Sequence, residues 1–440
     1  MAFNMSKKAK SLPDIVNVFH PKALTAEQTE YYQPTAAVRS GENYEYYDDL
    51  YGRINMSANN MHILVVGHGG CGKSTELHML ARQLRDNGSP AIIIEALDDL
   101  NLNDFTYIDI FVLIVKRLAE YAENNNYNID KKIISAFKTA MSTKTTQEFW
   151  EAGTAASLET GASASVNLLF IIQLMAKITA SLKMGSGIKE ELRSEMKPKM
   201  ADITEAVNAF IDNLNGLIEK KGFRGKVVII IDGLEKCTQD CVKKLFIDDV
   251  SSIKQINTHM VISCPISLYR SSDAALLTNN FDTVEVMPMI KTHNADADRS
   301  PNHKGINVIK ELILKRVEDT CFEESALEQL ITMSGGNLRD TCYLVKNCAH
   351  VAYMRKHVAI DMACVDYTLN KYAADLFLRI DTDYYPVIKE IVAGNYMHKN
   401  NKALIELLYA GAVFEYNGER WVDLHPLIRR YIDNNPGILD

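Results

Sequence analysis

Gly67-His68-Gly69-Gly70-Cys71-Gly72-Lys73-Ser74 decides the reading of this chain. It fits the pattern G-x-x-x-x-G-K-[ST], and its flanks fit as well. The apolar run Ile63-Leu64-Val65-Val66 precedes it and reads as a buried strand. Residues 75–84 follow with Leu77, Leu80, Ala81 and Leu84 on one helical face. Strand, glycine-rich loop and helix together form the context a phosphate-binding loop requires. Glycines let successive backbone N–H groups turn inward around phosphate oxygens, and the helix N-terminus adds partial positive charge. The run Gly67, Gly69, Gly70, Cys71, Gly72, Lys73, Ser74 and Thr75 is therefore the expected nucleotide contact. Lys73 is expected at the β and γ phosphates, and the Ser74 hydroxyl at a Mg²⁺ ion.

A second chemical anchor lies about 160 residues downstream. Residues 226–231 (KVVIII) read as a buried strand that ends in Asp232-Gly233-Leu234-Glu235-Lys236. A carboxylate at the end of an apolar strand is the Walker B arrangement, which assigns Asp232 to the metal or to Ser74. Gly233 follows where a second acid often stands. Glu235 is then either the carboxylate that polarises the attacking water or a surface residue. The next strand, His259 to Ser263, places Ser263 as a candidate γ-phosphate sensor. Arg270 just beyond it is a candidate arginine finger for a neighbouring subunit, or an ordinary surface arginine. In Ser334-Gly335-Gly336-Asn337-Leu338-Arg339-Asp340 the glycines end one helix and Asn337 caps the next. Arg339 then sits in a first helical turn, where it can reach phosphates.

Between the two anchors, residues 125–224 read as an insertion. From Ala156 to Met184 the even positions are almost all apolar or small and the odd ones mostly polar, which predicts extended β structure. A single strand of that length is unusual. Three arrangements suit it: a hairpin packed on its own domain, a β contact between subunits, or a membrane-inserting hairpin.

The remaining chain is read around these parts. Residues 1–55 form a polar, Tyr-rich lead-in; the core spans 56–290, a helical lid 306–375, and residues 376–440 two helices, a hairpin turning at Asn417-Gly418 and a closing helix. The hairpin, placed at 411–416 and 419–423, fits a winged helix. A net charge of −8 excludes a general nucleic-acid binder while leaving room for a local basic patch. The eight cysteines contain no C-x-x-C pair, a pattern of reduced thiols in a cytoplasmic protein. The N-terminus shows no signal-peptide pattern.

Taken together, the phosphate loop, Asp232-Gly-Leu-Glu, Gly335-Gly-Asn-Leu-Arg and the C-terminal pattern resemble the AAA+/STAND group of P-loop ATPases over about residues 55–440, the insertion excepted. The resemblance implies an α/β fold: a parallel-sheet core with a helical lid and a C-terminal winged helix, here with a β-rich insertion. It implies ATP and Mg²⁺ as cofactors and nucleotide-dependent homo-oligomers. It also implies a partner or effector protein, in stress signalling or antiphage defence. Leu424-His425-Pro426-Leu427 resembles the Met-His-Asp motif of such proteins and so suggests His425 as a nucleotide ligand, with Pro426 departing from the pattern. Two rival functions share these motifs: a DNA-acting loader or transposition ATPase, and a membrane-disrupting effector armed through residues 156–184.

Overall fold

The computed structural model describes residues 8–149, 168–184, 187–223, 225–296, 298–394, 401–416 and 421–440. Five parallel strands form its central sheet: β1 (His62–Gly67), β2 (Ala91–Glu95), β3 (Val228–Asp232), β4 (His259–Pro265) and β5 (Thr283–Val286). Their order is β2-β3-β4-β1-β5. Every residue of β1, β3 and β4 is buried, as an all-parallel sheet covered on both faces demands. That explains why these strands read as unbroken apolar runs rather than alternating ones. Register pairs Glu95 with Asp232 and Val65 with Ser263, so the ends of β1 to β4 converge on one edge of the sheet. The chain moves from β1 to the far edge at β2, returns through β3 and β4, and finishes beyond β1 at β5. Reversals of this kind leave the ligand-binding crevice at the carboxyl ends of the strands.

The first helix after β1, α1 (Lys73–Asp86), starts directly from the glycine loop. α2 (Tyr107–Asn124) is amphipathic, and the Asp109 carboxylate accepts the Thr106 N–H at 2.7 Å at its start. Among the described residues of the insertion, α3 (Lys131–Ala140) precedes the stretch that alternates, α4 (Leu168–Lys183) and α5 (Gly187–Met196) follow, and α6 (Met200–Lys220) returns the chain to β3.

Here the structure corrects the sequence reading. Residues 168–183 are a helix, not a strand; residues 156–167 lie outside the described residues. The buried positions of α4 are Leu168, Ile171, Leu174, Met175, Ile178, Thr179 and Leu182, spaced three and four apart along one stripe against α2. Three apolar odd-numbered residues, Leu169, Ile171 and Met175, already broke the alternation, and two of them belong to this stripe. The half of the proposed membrane hairpin that is described is therefore a core-packed helix. Among the described residues no helix is long and apolar enough to cross a membrane. Arg193 of α5 forms a buried ion pair with Asp109 of α2, which fastens the insertion to the core.

Four helices form the lid: α7 (His303–Leu314), α8 (Glu324–Met333), α9 (Leu338–Met354) and α10 (Met362–Phe377). The lead-in is part of their core. Leu12, Ile15 and Phe19 are buried among lid side chains, and Ala9 exchanges backbone hydrogen bonds with Arg316 and Glu318. α11 (Tyr385–Val392), α12 (Lys402–Tyr409), the antiparallel strands β6 (Val413–Tyr416) and β7 (Trp421–Leu424), and α13 (Pro426–Asn434) complete the chain. The Asn417-Gly418 turn lies outside the described residues. All eight cysteines are free thiols.

Candidate functional site

The loop between β1 and α1 takes its shape from glycine. Gly70 and Gly72 adopt φ of 89° and 113°, in the left-handed region that side chains rarely enter. A Cβ on Gly70 would also lie 2.1 Å from the Asn337 side-chain oxygen. Lys73 is buried, and its ammonium donates to the Gly67 and His68 carbonyls at 2.9 Å each. The Cys71 side chain is buried under the loop, and its carbonyl accepts from the Arg39 guanidinium at 2.6 Å.

Asp232 ends β3 fully buried, and neither carboxylate oxygen has a hydrogen-bond partner among the described residues. Burial raises its pKa first and the Glu235 charge second, while the nearby Ser74 hydroxyl works in the opposite direction. An orphaned buried carboxylate beside a loop serine is the donor set a hard divalent cation takes, so Asp232 and Ser74 fit Mg²⁺. Glu235 follows one turn later. Burial pushes its pKa up, but the Lys73 and Lys236 cations outweigh that and hold it low.

Glu95 ends β2 just as Asp232 ends β3. The run Ala91 to Glu95 carried the same signature, an acid closing an apolar strand, and that signal could have found it. Its carboxylate bonds His78 Nε2 at 2.8 Å, and His78 Nδ1 bonds the Leu24 carbonyl at 2.7 Å. The Leu24 N–H in turn donates to the Thr75 hydroxyl at 3.3 Å.

Three other parts of the chain meet the loop. From the lead-in, Arg39 is buried and donates to the Thr35 hydroxyl, the Cys71 carbonyl and the Pro288 carbonyl. Tyr32 donates to Glu76 at 2.9 Å and to Glu45 at 3.1 Å. From the lid, Asn337 caps α9 by accepting the Arg339 and Asp340 N–H groups, and its amide nitrogen donates to the Gly69 carbonyl at 3.0 Å. The Leu338 and Arg339 N–H groups donate to the Gly70 carbonyl at 3.0 and 3.3 Å. From the C-terminal hairpin, the Glu415 N–H donates to His68 Nε2 at 2.8 Å. His68 is buried, and burial first, then Lys73 and Arg270, depress its pKa to about 3.

A cavity of about 530 Å³ opens between these parts, in the size range of small-ligand sites. Gly70, Gly72, Lys73, Ser74, Thr75, Asp232, Glu235 and Arg339 all line it, so the structure brings most of the expected site residues together. Gly67, Gly69 and Cys71 belong to the same loop. Tyr31 and Tyr32 of the Tyr-rich lead-in line it too, as do Arg39, Glu95, His78 and Arg316, which went unread in the sequence. The Arg316 guanidinium sits 5.3 Å from the Tyr31 ring centroid.

Three expected residues are elsewhere. Ser263 is buried in β4 and its hydroxyl accepts the Leu234 N–H at 3.1 Å, so it positions the loop after Asp232 instead of facing the cavity. Arg270 is held within its own chain by both carboxylate oxygens of Glu415 and does not line the cavity. His425 is buried between the Leu427 N–H, which it accepts at 3.1 Å to cap α13, and Asp340 at 3.2 Å. It too lies outside the cavity wall.

Residues 43–258 match the KAP family P-loop domain, a span that runs from the lead-in through the insertion to the threshold of β4. With the loop, Asp232 and the five-stranded parallel sheet, this defines a P-loop NTPase fold. No curated protein sequence matches the chain. Among solved structures, the chain is similar to the Thermotoga maritima RuvB Holliday junction branch migration motor, with 13% identity over 92% of this chain and 98% of that one and a TM-score of 0.36. Cdc6p from Pyrobaculum aerophilum aligns at 10% identity over 95% and 98%, TM-score 0.40. The Aeropyrum pernix Orc1 protein in complex with DNA aligns at 10% identity over 96% of each chain, TM-score 0.42.

Proposed function

We propose that this protein binds ATP with Mg²⁺ in the cavity at the end of β1, hydrolyses it, and reports the nucleotide state through its lid and C-terminal hairpin. One observation carries the reading. The same short loop that would cradle the phosphates is hydrogen-bonded to both the lid and the C-terminal hairpin: Gly69 and Gly70 to Asn337 and Leu338, and His68 to Glu415. Any ligand that reshapes the loop shifts those contacts, and a ligand favouring one arrangement shifts the population toward it.

Lys73 and the loop N–H groups would hold the phosphates, and Asp232 and Ser74 would hold Mg²⁺, which would supply neutralising charge there. Arg39 and Arg339 add positive charge from two sides of the cavity. The helix–helix–strand–strand–helix order of residues 385–434 suits a winged helix that carries the signal onward, to a second copy or to a partner protein. A place in stress signalling or antiphage defence rests on the motif resemblance alone.

Nucleotide titration tests the reading. Native protein is expected to bind Mg-ATP, and Lys73→Ala to weaken binding by at least a hundredfold. Mass photometry in ADP and in ATP reads assembly. An unchanged monomer in both would remove oligomer formation from the proposal while leaving binding intact.

A further inference from the structure

Two glutamates face the metal ligands Asp232 and Ser74, and they are not equivalent. Glu235 has Lys73 and Lys236 as electrostatic partners, and one of its carboxylate oxygens is enclosed without a hydrogen bond. Its charge balances the loop lysine. Glu95 stands on the neighbouring strand, in register with Asp232. One of its oxygens is fixed by His78, and about a third of its side chain (31%) is open at the cavity wall. His78 lies one helical turn beyond Ser74 on α1, and its second nitrogen is anchored on the Leu24 carbonyl. The imidazole is thus held at both ends, which fixes Glu95 as well.

Building on the ATPase reading above, we propose that Glu95 is the catalytic carboxylate that orients the attacking water, and that His78 is its positioning residue. In the step, the water oxygen forms a new bond to the γ-phosphorus. The bond from that phosphorus to the β–γ bridging oxygen breaks, and its electron pair leaves with ADP. The water proton passes to the phosphate product, and Glu95 accepts the hydrogen bond that aligns the water. Phosphoryl transfer depends chiefly on such alignment and on charge stabilisation, so an acid fixed beside the metal site supplies the missing part. This gives the chain a water-orienting acid even though Gly233 follows Asp232. It also ties that acid to the lead-in, since the Leu24 peptide is gripped on both sides by α1, at Thr75 and at His78.

Single-turnover ATP hydrolysis and ATP affinity, measured side by side on the full chain, test the assignment. Glu95→Gln is isosteric and keeps an oxygen for His78. It is expected to cut the turnover rate at least a hundredfold while ATP affinity stays within threefold of native. Glu95→Asp should recover part of the rate, and His78→Gln should lower kcat about tenfold with little change in KM. Glu95→Gln turning over within threefold of native would overturn the proposal, as would a joint loss of binding and turnover, which marks a structural role. Native protein that binds ATP without hydrolysing it would overturn this assignment and leave nucleotide binding standing. Native protein that does not bind ATP overturns both.

Discussion

The phosphate loop is gripped from two sides, and the two grips differ in charge. The lead-in holds it with Arg39, a buried guanidinium whose acceptors are a hydroxyl and two carbonyls; among the described residues no carboxylate forms an ion pair with it. The hairpin holds it through the Glu415 N–H on His68, and the Glu415 carboxylate is itself neutralised by Arg270. One grip brings positive charge to the cavity wall and the other brings none. On the function proposed above, the lead-in would then work on the ligand as well as on the fold, whereas the hairpin would read where the loop is. Loss of the first should cost affinity and stability together. Loss of the second should cost stability and coupling alone.

The largest expected effect breaks the hairpin grip. Arg270→Ala leaves the Glu415 carboxylate buried without its partner, and stranding one member of a buried pair costs about 3–5 kcal/mol. Denaturant unfolding measures it. The double variant Arg270→Ala/Glu415→Gln should recover much of the loss, because no uncompensated charge then remains. ATP affinity of the double variant should stay within threefold of native. A tenfold loss would show that the hairpin also contributes to the ligand, and the contrast between the grips would fail.

Arg39→Ala comes next. It orphans the carbonyls of Cys71 and Pro288, each at about 1–3 kcal/mol for an unsatisfied buried acceptor. It also removes a cation from the cavity wall, so ATP affinity should fall at least tenfold. Arg39→Lys keeps the charge but not the forked reach to two carbonyls, and should restore affinity better than stability. Equal recovery of both would mean that charge and scaffold cannot be separated on this side.

How far the sequence reveals these grips depends on whether their parts are contiguous. The loop, its lysine and its strand sit within a dozen residues, and Asp232 closes an apolar strand, so both were readable along with the sheet and the lid helices. Arg39 was not, because its partners lie 32 and 249 residues away and nothing in a polar lead-in distinguishes one arginine from another. Arg270 reads as a finger or a surface arginine because its position after β4 is known from sequence and its Glu415 partner is not. Ser263 serves the turn after Asp232 instead of the cavity, since its hydroxyl is taken by the Leu234 N–H. The misreading of residues 168–183 has a different cause. Small and apolar residues at even positions satisfy a period of two and a helical stripe almost equally well, and Ile171, Met175 and Thr179, buried at odd positions, decide between them.

The smallest expected effect sharpens the hairpin side by pH. His68 accepts the Glu415 N–H and must stay neutral to do so. Its pKa in the fold, about 3, lies well below the ordinary 6.5. Between those values the unfolded chain binds a proton that the folded chain refuses, so stability rises with pH across this window and falls as pH drops below 6.5. One proton contributes a slope of up to about 1.4 kcal/mol per pH unit, or about 2 kcal/mol between pH 7 and pH 5. His62, His259 and His293 are also depressed by burial and act in the same direction, so the native slope alone does not isolate His68. The difference between native protein and His68→Gln does, because glutamine offers an oxygen to the Glu415 N–H and does not titrate. The variant should lose about 2 kcal/mol less than native on going from pH 7 to pH 5. Parallel losses would mean that His68 is protonated in the fold, and that the hairpin contact is not made through its imidazole nitrogen.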